Sequence, residues 1–284
     1  MNQRYMAGMR RARTFSGRES LSDAALEHYA PAIFAEEAHD SRSDRYSYLS
    51  TKEVVTALRG EGFHPFFVAQ SRSRDKGKAG FTKHMLRFRH ESMFAAPAGE
   101  FNEVVLVNSH DGTSSYHMMA GRYRMVCANG LVAGETISSV KFPHKGIDTG
   151  TIIEGAYTVL DEFDKVDRQV ASAKQIQLAP TEQYLLASGI LQLRYDMEKD
   201  FRPSQKDILA PRRREDTSND LWTVFNRIQE NVIQGRVPLT INPPSTRSGT
   251  SRPLTAVSEV AKINRQLWDV MDAMRQYRMY EELI

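Results

Sequence analysis

The sequence lacks the features on which several common kinds of protein depend. It has a single cysteine, which excludes an internal disulfide and is typical of a protein in a reducing compartment. No run approaches the roughly 18 consecutive apolar residues that a helix needs to span a bilayer. Residues 1–13 carry arginines but not the apolar stretch of a secretory signal. We therefore expect a cytoplasmic protein without a membrane partner.

Short motifs of nucleotide, metal and nucleophile sites are also missing. Residues 71–80 contain glycines but not the G-x4-G-K-[ST] spacing of a Walker loop, so nucleotide hydrolysis is not expected. Close pairs such as Cys-x2-Cys or His-x3-His, which zinc sites use, do not occur. Cys127 lies in an apolar run, where a cysteine is more often buried than catalytic. These absences favour a protein that is not an enzyme and uses no cofactor.

Positive charge, by contrast, is concentrated in one stretch. The net charge of the chain is only +3, whereas residues 71–90 contain seven Lys or Arg side chains and one acid, Asp75, which gives a local charge of +6. Arg122 and Arg124 lie two residues apart on a later strand and extend this charge. The candidate nucleic-acid-binding residues are Arg72, Arg74, Lys76, Lys78, Lys83, Arg87, Arg89, Arg122 and Arg124.

The apolar pattern predicts where the strands lie. Residues 81–90 alternate, so that Lys83, Arg87 and Arg89 share one face of a strand while the other face enters a core. Residues 104–107 are apolar without a break, which is typical of a central strand covered on both faces. Short connections between such strands favour antiparallel pairing.

Turn and period signals predict the rest of the fold. Asp111-Gly112 predicts a tight hairpin turn, and from Thr151 the apolar period becomes helical. We expect an α+β protein whose antiparallel sheet of about five strands is covered by helices, with a helical C-terminal half. The expected parts are a basic arm with an N-terminal helix (residues 1–44), the sheet core (45–150) and a helical half packed on the sheet (151–284).

The clustered cations favour a nucleic-acid partner. Cations that share one surface repel each other unless anions lie between them, and a nucleic acid supplies regularly spaced phosphates. No predicted helix has the residue pattern of the helices that recognise bases in duplex DNA, so we expect sequence-independent binding of single-stranded DNA. Phe67, Phe81 and Tyr123 are candidates for stacking on exposed bases. The alternative is a solvated sheet edge whose cations prevent edge-to-edge pairing.

A metal site is a second possibility for the same region. His110 and His117 lie on the two sides of the predicted turn, with Asp111 between them as a third ligand. A divalent metal held by these residues would give a phosphodiesterase or nuclease. Turn chemistry is the competing explanation for Asp111, because short polar side chains satisfy the backbone groups of turns.

Six short runs, in this order, resemble the phage/plasmid-like family called domain of unknown function 932, over roughly residues 45–277. They are Gly62-Phe63-His64-Pro65, Gln70-Ser71-Arg72-Ser73-Arg74, Gly80-Phe81-Thr82-Lys83-His84, Asn108-Ser109-His110-Asp111-Gly112, Arg124-Met125-Val126-Cys127-Ala128-Asn129-Gly130-Leu131 and Phe225-Asn226-Arg227-Ile228-Gln229-Glu230-Asn231. The resemblance implies a protein of phages, prophages or plasmids, with a role in DNA maintenance, recombination or evasion of host defence.

The order of the elements supports one version of this role. A hairpin, further antiparallel strands and a long packing helix are similar to the core of ring-forming single-strand annealing proteins. That similarity implies a homo-oligomer acting in DNA recombination. A protein inhibitor of a host defence enzyme is the third alternative, and it would not bind DNA.

Overall fold

A computed structural model of the chain describes residues 12–16, 19–42, 46–73, 75–94, 100–124, 130–132, 139–198, 201–241, 249–254 and 256–281. The described residues divide into two compact units. The first consists of the described part of Met9–Phe163 with Thr255–Ser258. The second consists of the described part of Asp164–Leu254 and Glu259–Ile284.

An antiparallel sheet forms the centre of the first unit. Among the described residues it has seven strands: β1 (Ala12–Ser16), β2 (Phe63–Ser71), β3 (His84–His90), β4 (Glu100–Asn108), β5 (Tyr116–Arg124), β6 (Gly130–Val132) and β7 (Ser139–Phe142). Their order is β1-β2-β3-β4-β5-β6, and β7 also pairs with β5. The predicted α+β class and antiparallel sheet are therefore confirmed.

The expected number of about five strands was too low. The strand β1 comes from the stretch interpreted as a basic arm, and it pairs along the edge of β2 with Phe15 opposite Val68. A sheet edge presents unpaired N–H and C=O groups, and β1 satisfies those of β2. The strand β6 is only three residues long, too short for an alternation signal.

The strands β3 and β4 follow their predicted patterns. Val104, Val105 and Leu106 are buried, and β4 lies between β3 and β5 in the middle of the sheet. Arg87 lies opposite Val105, and Leu86 opposite Leu106, so successive residues of β3 face opposite sides. The predicted separation of the arginines from the core-facing residues of this strand is confirmed.

The connection between β4 and β5 differs from the prediction. The strand β4 ends at Asn108 and β5 begins at Tyr116, so the predicted tight turn at Asp111-Gly112 lies within a loop of residues 109–115. In this loop Asp111 Oδ1 accepts hydrogen bonds from the Thr113 N–H at 3.0 Å and the Thr113 hydroxyl at 2.6 Å. Gly112 has φ of +77°, a conformation that favours glycine. The Asp-Gly pair thus makes a turn inside a longer loop.

Two helices cover one face of the sheet. The helix α1 (Asp23–Tyr29) and a 3-10 turn (Pro31–Phe34) precede α2 (Thr51–Gly60), which begins where the Ser50 hydroxyl accepts from the Glu53 N–H at 3.4 Å. The helix α2 packs on β2 and on α3 (Thr149–Asp161), and α3 packs on β4, β5 and β7. A Cβ at Gly155 would lie 2.4 Å from Phe142 Cζ, so glycine permits this close packing.

The second unit is mainly helical, as predicted for the C-terminal half. It contains α5 (Pro180–Arg194), α6 (Gln205–Leu209), α7 (Leu221–Gln234) and the short strands β8 (Phe201–Arg202) and β9 (Thr240–Ile241). It also contains α4 (Phe163–Gln175) from Asp164 onward and α8 (Val257–Glu281) from Glu259 onward. Trp222 of α7 and Trp268 of α8 meet edge to face in its core. No helix in the described ranges is both long and apolar enough to cross a bilayer.

Candidate functional site

The connection between β2 and β3, residues 72–83, is called the basic hairpin. Arg72 and Lys76 are exposed, and Lys78 and Lys83 are half-buried. None of these four side chains forms an ion pair with a carboxylate of the described residues. Arg74, also predicted to bind nucleic acid, lies outside the described residues. The basic hairpin therefore presents uncompensated positive charge to solvent.

Hydrogen bonds link the described residues of the basic hairpin to one another. The Asp75 N–H donates to Ser73 Oγ at 3.0 Å, and Asp75 Oδ1 accepts from the Gly77 N–H at 2.9 Å. The Lys78 N–H donates to the Asp75 carbonyl at 3.3 Å, and the Phe81 N–H donates to the Lys78 carbonyl at 3.0 Å. The one acid of this segment therefore organises the backbone instead of pairing with a lysine.

The base of the basic hairpin is tied to neighbouring segments. The side chain of Gln70 accepts from the Ala32 N–H at 3.0 Å and donates to the Ala79 carbonyl at 2.8 Å and to Thr82 Oγ1 at 2.9 Å. The carbonyl of Phe81 accepts from the N–H groups of His110 and Asp111 at 2.9 and 3.1 Å. The hairpin is thereby connected to the N-terminal helical segment and to the loop after β4.

The strand arginines do not form the exposed basic surface that the sequence predicted. Arg87 Nε lies 2.8 Å from Glu103 Oε2, and Arg89 Nε donates to Glu103 Oε1 at 2.6 Å. The side chains of Arg87, Arg89 and Glu103 are 7%, 14% and 0% exposed. Arg122 donates to Glu100 Oε2 at 3.1 Å and to Asn102 Oδ1 at 2.9 Å. The prediction failed because carboxylates of β4 neutralise the arginines of β3 and β5.

Aromatic rings complete this arginine cluster. The Arg87 guanidinium lies 4.2 Å from the centroid of Phe67, which was a predicted stacking residue. Arg89 lies 4.3 Å from Phe66 and 3.9 Å from Phe101. These distances are those of cation–π contacts, which are stronger when desolvated. Phe81 packs edge to face with His39, whereas the side chains of Tyr123 and Arg124 lie outside what the structure describes.

The alternative metal site of His110, Asp111 and His117 does not form. His110 is buried, while His117 lies on the opposite face of the sheet from its neighbour Tyr116, with its Nε2 2.6 Å from Ser139 Oγ. Among the described residues, no three His, Cys, Asp or Glu side chains are arranged to hold a metal ion. The triad is not assembled because His110 contacts Thr51 in a buried cluster, whereas His117 contacts Ser139.

A buried polar cluster centred on Thr51 takes the place of that site. The Thr51 hydroxyl oxygen lies 3.0 Å from His84 Nε2, 3.0 Å from His110 Nε2, 3.0 Å from the Tyr116 hydroxyl and 3.1 Å from Asn108 Nδ2. His84 Nδ1 donates to the Thr82 carbonyl at 3.1 Å, so the Nε2 of this neutral ring accepts from Thr51. Asn108 and His110 belong to one of the six family-like runs of the sequence, whereas Thr51 belongs to none of them.

The histidines of this cluster are uncharged at neutral pH. Burial lowers the pKa of His84 to about 4. Burial, followed by the nearby His84 ring, lowers the pKa of His110 to about 3. Burial also raises the pKa of Tyr116. Because His84, His110 and Tyr116 are fully buried, we interpret the cluster as the polar anchor of α2 on the sheet.

The fold and the site together define an α+β protein with an ordered basic hairpin beside a buried histidine cluster. Comparison with known proteins gives its family. A model described as a domain of unknown function, DUF932, matches residues 38–268, and the chain belongs to this family. The family resemblance of the sequence is therefore confirmed.

Relatives of similar length support this assignment. The chain is 43% identical over 255 residues to UPF0380 protein YafZ of Escherichia coli (strain K12), covering 89% of this chain and 91% of the relative. It is 41% identical over 255 residues to UPF0380 protein YfjQ of the same strain, with the same coverage. No solved structure matches the chain.

Proposed function

We propose that the protein binds single-stranded DNA without base-sequence specificity through the basic hairpin. The observation that carries this proposal is the group of four side chains, Arg72, Lys76, Lys78 and Lys83, that have no carboxylate partner among the described residues. Such cations attract phosphates and release condensed counterions when they bind. Contacts to phosphates position a strand but carry no sequence information, which accounts for the proposed lack of specificity.

The proposed interface is narrower than the one expected from the sequence. Arg87, Arg89 and Arg122 are paired with carboxylates and largely buried, so they are assigned to stability and not to DNA. The internal hydrogen bonds of the basic hairpin support binding, because a pre-ordered loop loses less conformational entropy when a strand docks on it.

The biological setting is proposed from the family resemblance. DNA binding in the cytoplasm would serve the maintenance or recombination of a mobile element, with strand annealing as the form of recombination that needs single strands.

We also propose that the protein forms a homo-oligomer. Tyr184 and Leu185 of α5 and Tyr277 and Tyr280 of α8 are exposed, and exposed large apolar side chains are a feature of interaction surfaces. Light-scattering mass measurement tests this: a monomeric mass at micromolar concentration would reject it.

Fluorescence anisotropy with a labelled oligothymidylate tests the binding proposal. If the four cations neutralise four phosphates, the slope of log affinity against log salt is about −2.8. Replacing two of them, as in Lys76→Gln with Lys78→Gln, is expected to make the slope shallower by about 1.4. Absence of binding at low salt would reject the proposal.

A matched control variant shows whether binding depends on the charge of the basic hairpin or only on the total charge of the protein. Lys145→Gln with Lys206→Gln removes the same charge from exposed positions outside the basic hairpin. We expect it to bind the oligonucleotide as the unmodified protein does. Equal weakening by the two variant pairs would show that the hairpin is not the interface.

A further inference from the structure

A pocket of about 340 Å³ lies beside the basic hairpin. It is lined by Pro31, Ser71, Arg72, Ser73, Ala79 and Gly80, with Gln70 in its wall. Sites for small ligands have volumes of about 300–1,000 Å³, so this pocket matches a small ligand. Residues 70–73 and Gly80 of its lining belong to two of the runs by which the sequence resembles its family.

Hydrogen-bond donors without partners line one part of the pocket. The Gly80 N–H and the Ser71 hydroxyl make no hydrogen bond to any described residue. Arg72 is exposed and has no carboxylate partner in the described ranges. A guanidinium, a backbone N–H and a hydroxyl together match the oxygen acceptors of a phosphate group.

The rest of the lining is suited to a less polar group. Pro31 and Ala79 contribute apolar surface, and the Ala79 carbonyl is already bonded to Gln70. Gln70 is buried and its amide makes three hydrogen bonds, so this wall is fixed before any ligand binds. A planar base or a sugar ring fits against such a surface.

We propose that the pocket holds one nucleotide of the bound strand, with the phosphate at Arg72 and Gly80 and the nucleoside against Pro31 and Ala79. This inference rests on the proposed DNA binding. It also explains why that binding would favour a single strand over a duplex. A nucleotide inside a duplex is stacked and paired, and taking it out costs free energy. An unpaired strand reaches the pocket without that cost.

A variant at Gly80 tests the pocket directly. A Cβ at Gly80 would meet no atom within 4 Å and Gly80 lies outside the left-handed region, so we expect Gly80→Leu to fold while its side chain occupies the pocket. We expect about tenfold weaker binding of single-stranded oligothymidylate, the loss of roughly one base contact, with duplex binding unchanged.

Gly77→Leu is the matched control. Gly77 lies in the same hairpin but does not line the pocket, and a Cβ there would meet Asp75 Oδ1 at an ordinary 3.4 Å. We expect its affinity to stay within about twofold of that of the unmodified protein. Equal affinities of the two leucine variants for the single strand would overturn the pocket assignment while leaving the proposed DNA binding intact. No binding by the unmodified protein would overturn both.

A measurement on the unmodified protein covers the case in which Gly80→Leu does not fold. Thymidine monophosphate is added to the ¹⁵N-labelled full chain and the amide resonances are followed. We expect the signals of Ser71 and Gly80 to shift while that of Gly77 does not, and inorganic phosphate to produce smaller shifts at higher concentration. Unchanged Ser71 and Gly80 signals at millimolar nucleotide would overturn the proposal.

Discussion

The basic hairpin and the arginine cluster of the sheet contain the same kind of charge in two different environments. Lys83 at the end of the hairpin has no carboxylate partner among the described residues, whereas Arg87, four positions later, contacts a fully buried carboxylate. The difference is the neighbouring strand: β4 supplies Glu103 on the arginine face, whereas no carboxylate in the described part of the chain pairs with the hairpin cations. A run of cations is thus available to a polyanion only where adjacent strands leave it unpaired.

This comparison assigns different roles to neighbouring basic residues. A desolvated ion pair contributes little net stability relative to an apolar substitute, but removing one partner leaves a buried charge and is costly. An exposed unpaired lysine contributes almost nothing to folding and remains free to bind. The sheet arginines should therefore affect stability, and the hairpin cations should affect binding.

The largest expected effect is the loss of stability in Glu103→Gln. The substitution leaves Arg87 and Arg89 without their common carboxylate in a buried site, so we expect the free energy of unfolding to fall by about 3–5 kcal/mol. Urea unfolding followed by circular dichroism measures this. Glu91→Gln, at an exposed carboxylate near His64, is the control and should change stability by less than about 0.5 kcal/mol. Similar small losses in both variants would contradict the comparison.

A smaller effect is expected from the buried histidines when the pH falls from 6 to 5. Their folded-state pKa values of about 4 and about 3 lie below the ordinary value of about 6.5, so the unfolded chain takes up protons first. Stability is therefore full above about pH 6.5 and falls toward pH 4, at up to about 1.4 kcal/mol per pH unit for each histidine.

Two measurements check this pH dependence. Urea unfolding at pH 6 and pH 5 gives the slope, and ¹⁵N chemical shifts of the imidazoles report the protonation of His84 and His110 directly. We expect both rings to remain neutral in the folded protein at pH 5. Protonated His84 or His110 at pH 5 would contradict the assignment of a neutral cluster.

The smallest effect on stability is expected in the basic hairpin. Lys76→Gln with Lys78→Gln removes two charges that make no ion pair with the described residues, so the free energy of unfolding should change by less than about 0.5 kcal/mol. The same urea titration as for Glu103→Gln measures it. A loss above 1 kcal/mol would mean that these lysines contribute to folding, and the contrast with the sheet arginines would fail.

The sequence predicted the parts of the fold that depend on local pattern. The alternation of residues 81–90 identified which side of β3 carries Arg87 and Arg89, and the apolar run of β4 identified the centre of the sheet. It could not predict that Glu103 would neutralise both arginines, because that contact depends on the pairing register of β3 with β4. A prediction of surface charge made from one strand alone cannot say which of its charges a neighbouring strand neutralises.

The functional residues that sequence reasoning missed are those brought together by tertiary contacts. Thr51 is the first residue of α2, and no local sequence pattern shows that its hydroxyl contacts His84 and His110. Gln70 reads as the polar end of a strand, yet its amide fixes the wall of the pocket. Each of these contacts joins segments more than eight residues apart, beyond the reach of a periodicity pattern.

The carbonyl oxygen of Phe81 has a mechanical consequence. Because it receives the N–H groups of both His110 and Asp111, any rotation that swings the basic hairpin away would strip two donors at once, inside a region that water does not readily reach. The hairpin base and the loop after β4 are therefore held together by two hydrogen bonds. Moving the hairpin base would therefore also disturb the loop that follows the central strand β4.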